Sequence, residues 1–104
     1  MLQEGLKKAI EIPLTTMRLG NSAWEPMIEC AKYGNIASKS DVEVGARALE
    51  TGIWGAYRNV LINIPGIKDE SFKKEKLIEA ESIINNSNDR CAVALKILEG
   101  RKKK

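Results

Sequence analysis

Two asparagines one helical turn apart, Asn59 and Asn63, stand inside the most apolar run of the chain. A side-chain amide carries both donors and an acceptor, so it can read the edge of a flat polar ring. An amide on a packed helix face must in any case find partners. Upstream, Gly34-Asn35 and the stretch Ser38 to Asp41 sit at the entrance to the same segment. Asp41 adds a carboxylate there, a group able to carry a proton. Asn35, Asp41, Asn59 and Asn63 are therefore the candidate binding residues for a flat polar ligand. The same residues also have structural uses: the two amides can satisfy backbone at a helix junction, and Asp41 can serve only the helix dipole. No residue is assigned as a catalyst.

The rest of the composition narrows the chemistry. Histidine is absent, which removes the commonest general base and the commonest metal ligand. Cys30 and Cys91 lie far apart without a CxxC pairing. Neither a metal site nor a disulfide framework is expected, and a reducing, cytoplasmic setting follows. There is no P-loop, GxGxxG or HExxH motif. Net charge is +3, with the excess in the basic tail Arg101 to Lys104. The body carries one more acid than base, so it offers no basic footprint for nucleic acid, and the tail is expected to be solvated. The N-terminus is charged from Glu4 onward, unlike a signal peptide. Residues 42–64 include Glu43, Arg47, Glu50 and Arg58, which excludes a membrane span.

These residues need elements to position them. At 104 residues, the chain has the size of one domain, 1–104. Its apolar residues recur at steps of three, four and seven, without a strand pattern, so the predicted fold is all-α, a helical bundle. A first segment runs from about residue 2 to residue 33, with Pro13 as a kink point and Gly20, Asn21 and Pro26 as a second weak point. Gly34-Asn35 is read as a left-handed stop. Ser40 and Glu43 are spaced as a capping box that opens a long central helix, about residues 40–64, apolar on most sides. Its small residues Gly45, Ala48, Gly52, Gly55 and Ala56 imply close approach of another helix or a ligand, with helix packing preferred. Pro65-Gly66 ends it. A third segment, about 69–99, opens on an Asp69 cap and carries a stripe of Leu77, Ala80, Ile84, Asn88, Cys91, Leu95 and Leu98. The run Asn85 to Asp89 is a predicted break.

Several stretches together resemble the cyclodeaminase/cyclohydrolase family of folate enzymes. They are AIEIPL (9–14), Gly34-Asn35, Ser40-Asp41, ALETGIWGAYRNVLINI (48–64) and Ile67-Lys68-Asp69 with the following ESFK. The likeness is to the C-terminal half of the cyclodeaminase domain of formiminotransferase-cyclodeaminases. It implies the C-terminal half of a larger helical domain and a homo-oligomer associating through helices. A tetrahydrofolate derivative is the implied substrate, with no metal. The implied reaction closes 5-formimidoyltetrahydrofolate to 5,10-methenyltetrahydrofolate and ammonia. The alternatives are the methenyltetrahydrofolate cyclohydrolase reaction and a non-catalytic dimerisation module. The family's Pro-Gly-Gly-Gly-type loop and its catalytic acid belong to the other half of the domain. The resemblance therefore also implies a missing N-terminal half, or a fused formiminotransferase domain, as partner. Arg58 stands where relatives often carry an aromatic or apolar residue.

Overall fold

The computed structural model describes residues 2–101. Four α-helices follow one another: α1 (Gln3–Ser22), α2 (Trp24–Tyr33), α3 (Lys39–Asn63) and α4 (Glu70–Gly100). Single 3-10 turns at Ile36–Ser38 and Ile64–Gly66 flank α3. No strand occurs among the described residues. The helices form a rod of 59 × 18 × 16 Å. α1 and α2 run end to end along one side, α4 runs beside them in the same direction, and α3 returns antiparallel against α1 and α4.

The core is the shared seam of these helices. Ile10, Leu14 and Met17 of α1, Trp24 and Ile28 of α2, Ile53 and Val60 of α3, and Ile84, Cys91 and Leu98 of α4 are all buried. At roughly 1.5–3 kcal/mol for each large side chain, this seam is the main stabilising contribution. Gly20 lets α1 close on α3, since a Cβ there would stand 2.7 Å from Cγ1 of Ile53. Polar ties run along the rod's flank. Arg18 grips Glu79 through two hydrogen bonds, of 2.6 and 2.9 Å, and Lys76 reaches Glu11 at 2.9 Å. These cations hold the Glu79 and Glu11 carboxyls below the usual carboxylate range. Asp69 caps α4, accepting from the Phe72 N–H at 3.0 Å, and pairs with Lys7 at 3.0 Å.

The first segment does divide at its second weak point, around Ala23. Pro13 lies inside α1, which runs through it unbroken. Other expectations are corrected. Gly34 is extended, with φ −65° and ψ 164°, and not left-handed. The chain leaves α2 straight into a turn capped by Asn35, whose Oδ1 accepts from the Ala37 N–H at 2.9 Å. Glycine is needed at residue 34 for space, because a Cβ would stand 2.6 Å from the Cys30 carbonyl oxygen. Ser40 is already inside α3, which starts at Lys39 with Ser38 as a cap residue lacking a side-chain bond. The capping box therefore does not form; the 3-10 turn sets the helix cap at Ser38, two residues before Ser40.

The run Asn85 to Asp89 does not break α4, which is continuous for 31 residues. Buried Ser87 accepts from the Trp24 indole N–H at 3.0 Å, and Asn86 donates to Asn21 Oδ1 at 2.9 Å. Tertiary contacts override weak helix propensity here. Asn88, placed in the apolar stripe by its spacing, is exposed, and Ser87 takes the inward position. Arg101 is half-buried, donating from Nη1 to the Ala31 carbonyl at 3.0 Å, while its own carbonyl accepts from Lys39 Nζ at 3.2 Å. It ties the ends of α2 and α4 to the start of α3, whereas the tail was expected to be solvated. The remaining basic tail, residues 102–104, lies outside the described residues.

Candidate functional site

α3 is packed on two sides and open on a third. Its sides toward α1 and α4 carry Ala46, Ile53, Ala56 and Val60, all buried. Its open side carries Ala48, Thr51, Gly52, Gly55, Arg58, Asn59 and Ile62, spaced by threes and fours along one helical face. A Cβ added to Gly52 or Gly55 would meet nothing within 4 Å. The predicted close approach to another helix is therefore not made by these two glycines within the described chain. Gly45 does make an internal contact, where a Cβ would lie 3.5 Å from the Met27 methyl.

Beside this face an open groove of about 580 Å³ runs between α3 and α1. Thr51, Gly52, Gly55, Ala56 and Asn59 line it from α3, and Ile12, Pro13 and Thr16 from α1. None of these side chains is ionisable. Their hydroxyls and amide can orient a polar group or accept a hydrogen bond, but none can shuttle a proton as a carboxylate does. Of the lining, Ile12 is 71% exposed; Leu19 farther along α1 and Ile62 farther along α3 are 68% and 70% exposed.

A second, smaller pocket of about 250 Å³ opens toward α4. Glu50, Thr51, Trp54 and Asn88 line it, so Thr51 borders both depressions. Burial pushes the neighbouring Cys91 thiol up from its ordinary value, and the Glu50 charge adds to that. Cys91 is thereby kept as a neutral, packed thiol, unlike a reactive thiolate.

The four sequence-predicted residues fall into two groups. Asn59 lines the groove. Asn63, one turn on, donates its amide N–H back to the Asn59 carbonyl at 3.0 Å. Asn35 and Asp41 stand near the opposite end of α3, where the Asn35 acceptor is occupied by its turn and Asp41 is exposed in the first helical turn. Eighteen residues of continuous helix separate Asp41 from Asn59, about 27 Å along the axis. The chain therefore does not gather all four around one small ring. Sequence reasoning missed Thr16, Thr51, Glu50, Trp54 and Asn88. Glu50, Thr51 and Trp54 all lie in the 48–64 block, where a carboxylate and an indole one turn apart were available as a signal. Arg58, also in that block, is exposed. Among the described residues, no three His, Cys, Asp or Glu side chains gather as a metal site, and no helix is long and apolar enough to cross a membrane.

The profile of a family described as formiminotransferase-cyclodeaminase matches residues 1–82. The formimidoyltransferase-cyclodeaminase of Dictyostelium discoideum is 48% identical over 97% of this chain, but only 19% of that protein is matched. The methenyltetrahydrofolate cyclohydrolase of Methylorubrum extorquens is 31% identical over 80% of this chain and 40% of its own length. In three dimensions the fold matches a formiminotetrahydrofolate cyclodeaminase from Thermotoga maritima. The TM-score is 0.90 at 30% identity, over 95% of this chain and 50% of that one. The chain thus spans about a fifth of the bifunctional relatives and half of the solved structure.

Proposed function

We propose that this chain, which belongs to the formiminotransferase-cyclodeaminase family, supplies one half of a folate-handling helical domain. Completed by its other half, that domain converts 5-formimidoyltetrahydrofolate to 5,10-methenyltetrahydrofolate and ammonia. The observation that carries this reading is the close match to half of a cyclodeaminase; the groove on the central helix has no ionisable side chain in its own lining, the nearest carboxylate, Glu11, lying in an adjoining depression.

Ring closure makes a bond from N10 of the folate to the formimidoyl carbon. Starting from the protonated formimidoyl group, N10 loses its proton and the departing nitrogen gains one as its bond to that carbon breaks, so ammonia leaves and the positive charge stays on the methenyl bridge. The proton carrier must be a positioned acid or base. In this reading Asn59, Thr51 and Thr16 orient the polar ring or its formimidoyl group, and the complementary half brings the proton carrier. Asn63 stiffens the turn that holds Asn59. Asn35 and Asp41 belong to a different end of the domain, where they would reach only the extended part of the substrate.

The test follows the near-ultraviolet absorbance of methenyltetrahydrofolate with the chain alone and with the complementary half co-expressed. Turnover is expected only in the mixture, since losing a positioned proton carrier lowers rates about 10²- to 10⁴-fold. Turnover by the chain alone refutes the half-site reading. The identity to a cyclohydrolase supports a second reading, hydrolysis of the methenyl group. The same assay started from methenyltetrahydrofolate, with loss of absorbance, separates the two. A completed domain inactive in both directions would support a non-catalytic association module.

A further inference from the structure

We infer that the pocket between α3 and α4 binds a planar nitrogen cation, an amidinium or guanidinium, between the Glu50 carboxylate and the Trp54 indole. This inference does not rest on the folate reading. The chain holds its own example of the chemistry. Near the start of α4, Lys7 Nζ lies 4.9 Å from the centroid of the Phe72 ring and Lys76 Nζ 5.5 Å from it. Each of these ammonium groups also pairs with a carboxylate, Lys7 with Asp69 at 3.0 Å and Lys76 with Glu11 at 2.9 Å. An aromatic face and a carboxylate side by side hold a cation, because the ring's negative face and the full negative charge attract it to the same place. Glu50 and Trp54 repeat that combination. They stand one helical turn apart, with Cβ atoms about 5–6 Å from each other, and both line the pocket of about 250 Å³. Among the described residues no cationic side chain completes the pair: the ion pairs and the cation–ring contacts involve neither Glu50 nor Trp54. Trp54 is 54% exposed, whereas the other indole, Trp24, is buried and bonded to Ser87.

The rest of the lining selects the kind of cation. Thr51 and, from α4, Asn88 offer oxygen acceptors. A planar amidinium or guanidinium lays its face on the indole, donates two N–H groups to one carboxylate and keeps others for those oxygens. An ammonium has three donors but no flat face. Glu50 repels anions, and a space below the usual size of a drug-sized site takes a small group. Arg47 stands one turn before Glu50 and Arg58 one turn after Trp54; both are exposed and neither lines the pocket. Their charges weaken the site without filling it, which sets its affinity on the order of 1–10 mM.

The test titrates the full chain with benzamidinium at low ionic strength and follows the two indole N–H signals by nuclear magnetic resonance. The Trp54 signal should move with a dissociation constant on the order of 1–10 mM, while the signal of buried Trp24 stays in place. Benzamide, which keeps the planar shape and loses the charge, should bind about 10-fold more weakly or not at all. Glu50→Gln should weaken benzamidinium by about the same factor. Circular dichroism checks that this variant folds, and the benzamide comparison needs only the wild-type chain. A Trp54 signal that does not move overturns the site. So does benzamide binding as tightly as benzamidinium, or a folded Glu50→Gln variant that binds at wild-type affinity. Benzylammonium binding more tightly than benzamidinium overturns the choice of a planar cation. Turnover of the completed domain has no part in these outcomes, so the folate reading stands or falls separately.

Discussion

Ser87→Ala isolates the contact that keeps α4 whole. Ser87 is fully buried and accepts the indole N–H of Trp24, itself 1% exposed, at 3.0 Å. Two effects compete when the hydroxyl is removed. Alanine is the better helix former, by about 0.5 kcal/mol, and Ser87 lies in the run of weak helix formers from residue 85 to 89. Against this, the indole N–H is left buried with no acceptor, which costs about 1–3 kcal/mol. The second effect wins, for a net loss of about 1–2 kcal/mol. For a chain of this size that lowers the melting temperature by roughly 5–15 °C. The assay is thermal and urea unfolding followed by far-ultraviolet circular dichroism. A double-mutant cycle with Trp24→Phe should return a coupling near 1 kcal/mol, because the double variant has no orphaned donor. If Ser87→Ala melts at or above the wild-type temperature, local propensity governs this stretch and the tertiary-override account of α4 is wrong.

Gly34→Ala should destabilise the chain by about 1–3 kcal/mol in urea unfolding, because its Cβ would stand 2.6 Å from the Cys30 carbonyl oxygen. Gly52→Ala should do the opposite in the isolated chain, raising stability by about 1 kcal/mol through helix propensity alone. Stability should be flat through neutral pH, where no histidine titrates, and fall at both extremes. The lowered Glu11 and Glu79 carboxyls contribute stability above their ordinary value of 4.5, and this is lost as pH falls through their folded values. The raised Cys91 thiol contributes below its ordinary value of 9.0, and this is lost as pH rises through its folded value. Melting temperature against pH checks both limbs, and Glu79→Gln should flatten the acid one.

The helical periodicity was legible because each segment buries a stripe on one side, and a stripe of threes and fours survives in any single sequence. The Asp69 cap was legible for a local reason: its acceptor and the Phe72 N–H are three residues apart. What misled were signals with two readings. Ser40 and Glu43 have capping-box spacing, yet Asn35 had already captured the turn before them. Gly34 follows a helix like a left-handed stop, yet its role is to leave room for a carbonyl oxygen. Asn85 to Asp89 look like a break until Trp24 and Asn21, far away in sequence, supply the partners.

The candidate site was the least legible part, and α3 explains why. Asn35, Asp41, Asn59 and Asn63 share a recognisable block, but a continuous helix converts the separation of Asp41 from Asn59 into about 27 Å. Sequence proximity to a motif is not proximity to a ligand. The glycines carry the stronger information. Gly52 and Gly55 each cost α3 roughly 1 kcal/mol of helix stability relative to alanine. α1 and α4 do not offset it, since neither comes within 4 Å of the positions where a Cβ would stand. The two glycines and Asn59 lie along one open face, beside threonines that can orient but cannot transfer a proton. The carboxylates nearest this face, Glu11 and Glu50, line neighbouring depressions and not the groove itself. Under the half-domain reading the complementary half brings the proton carrier to these orienting side chains, and that is what turnover in the mixture, and not in the chain alone, tests.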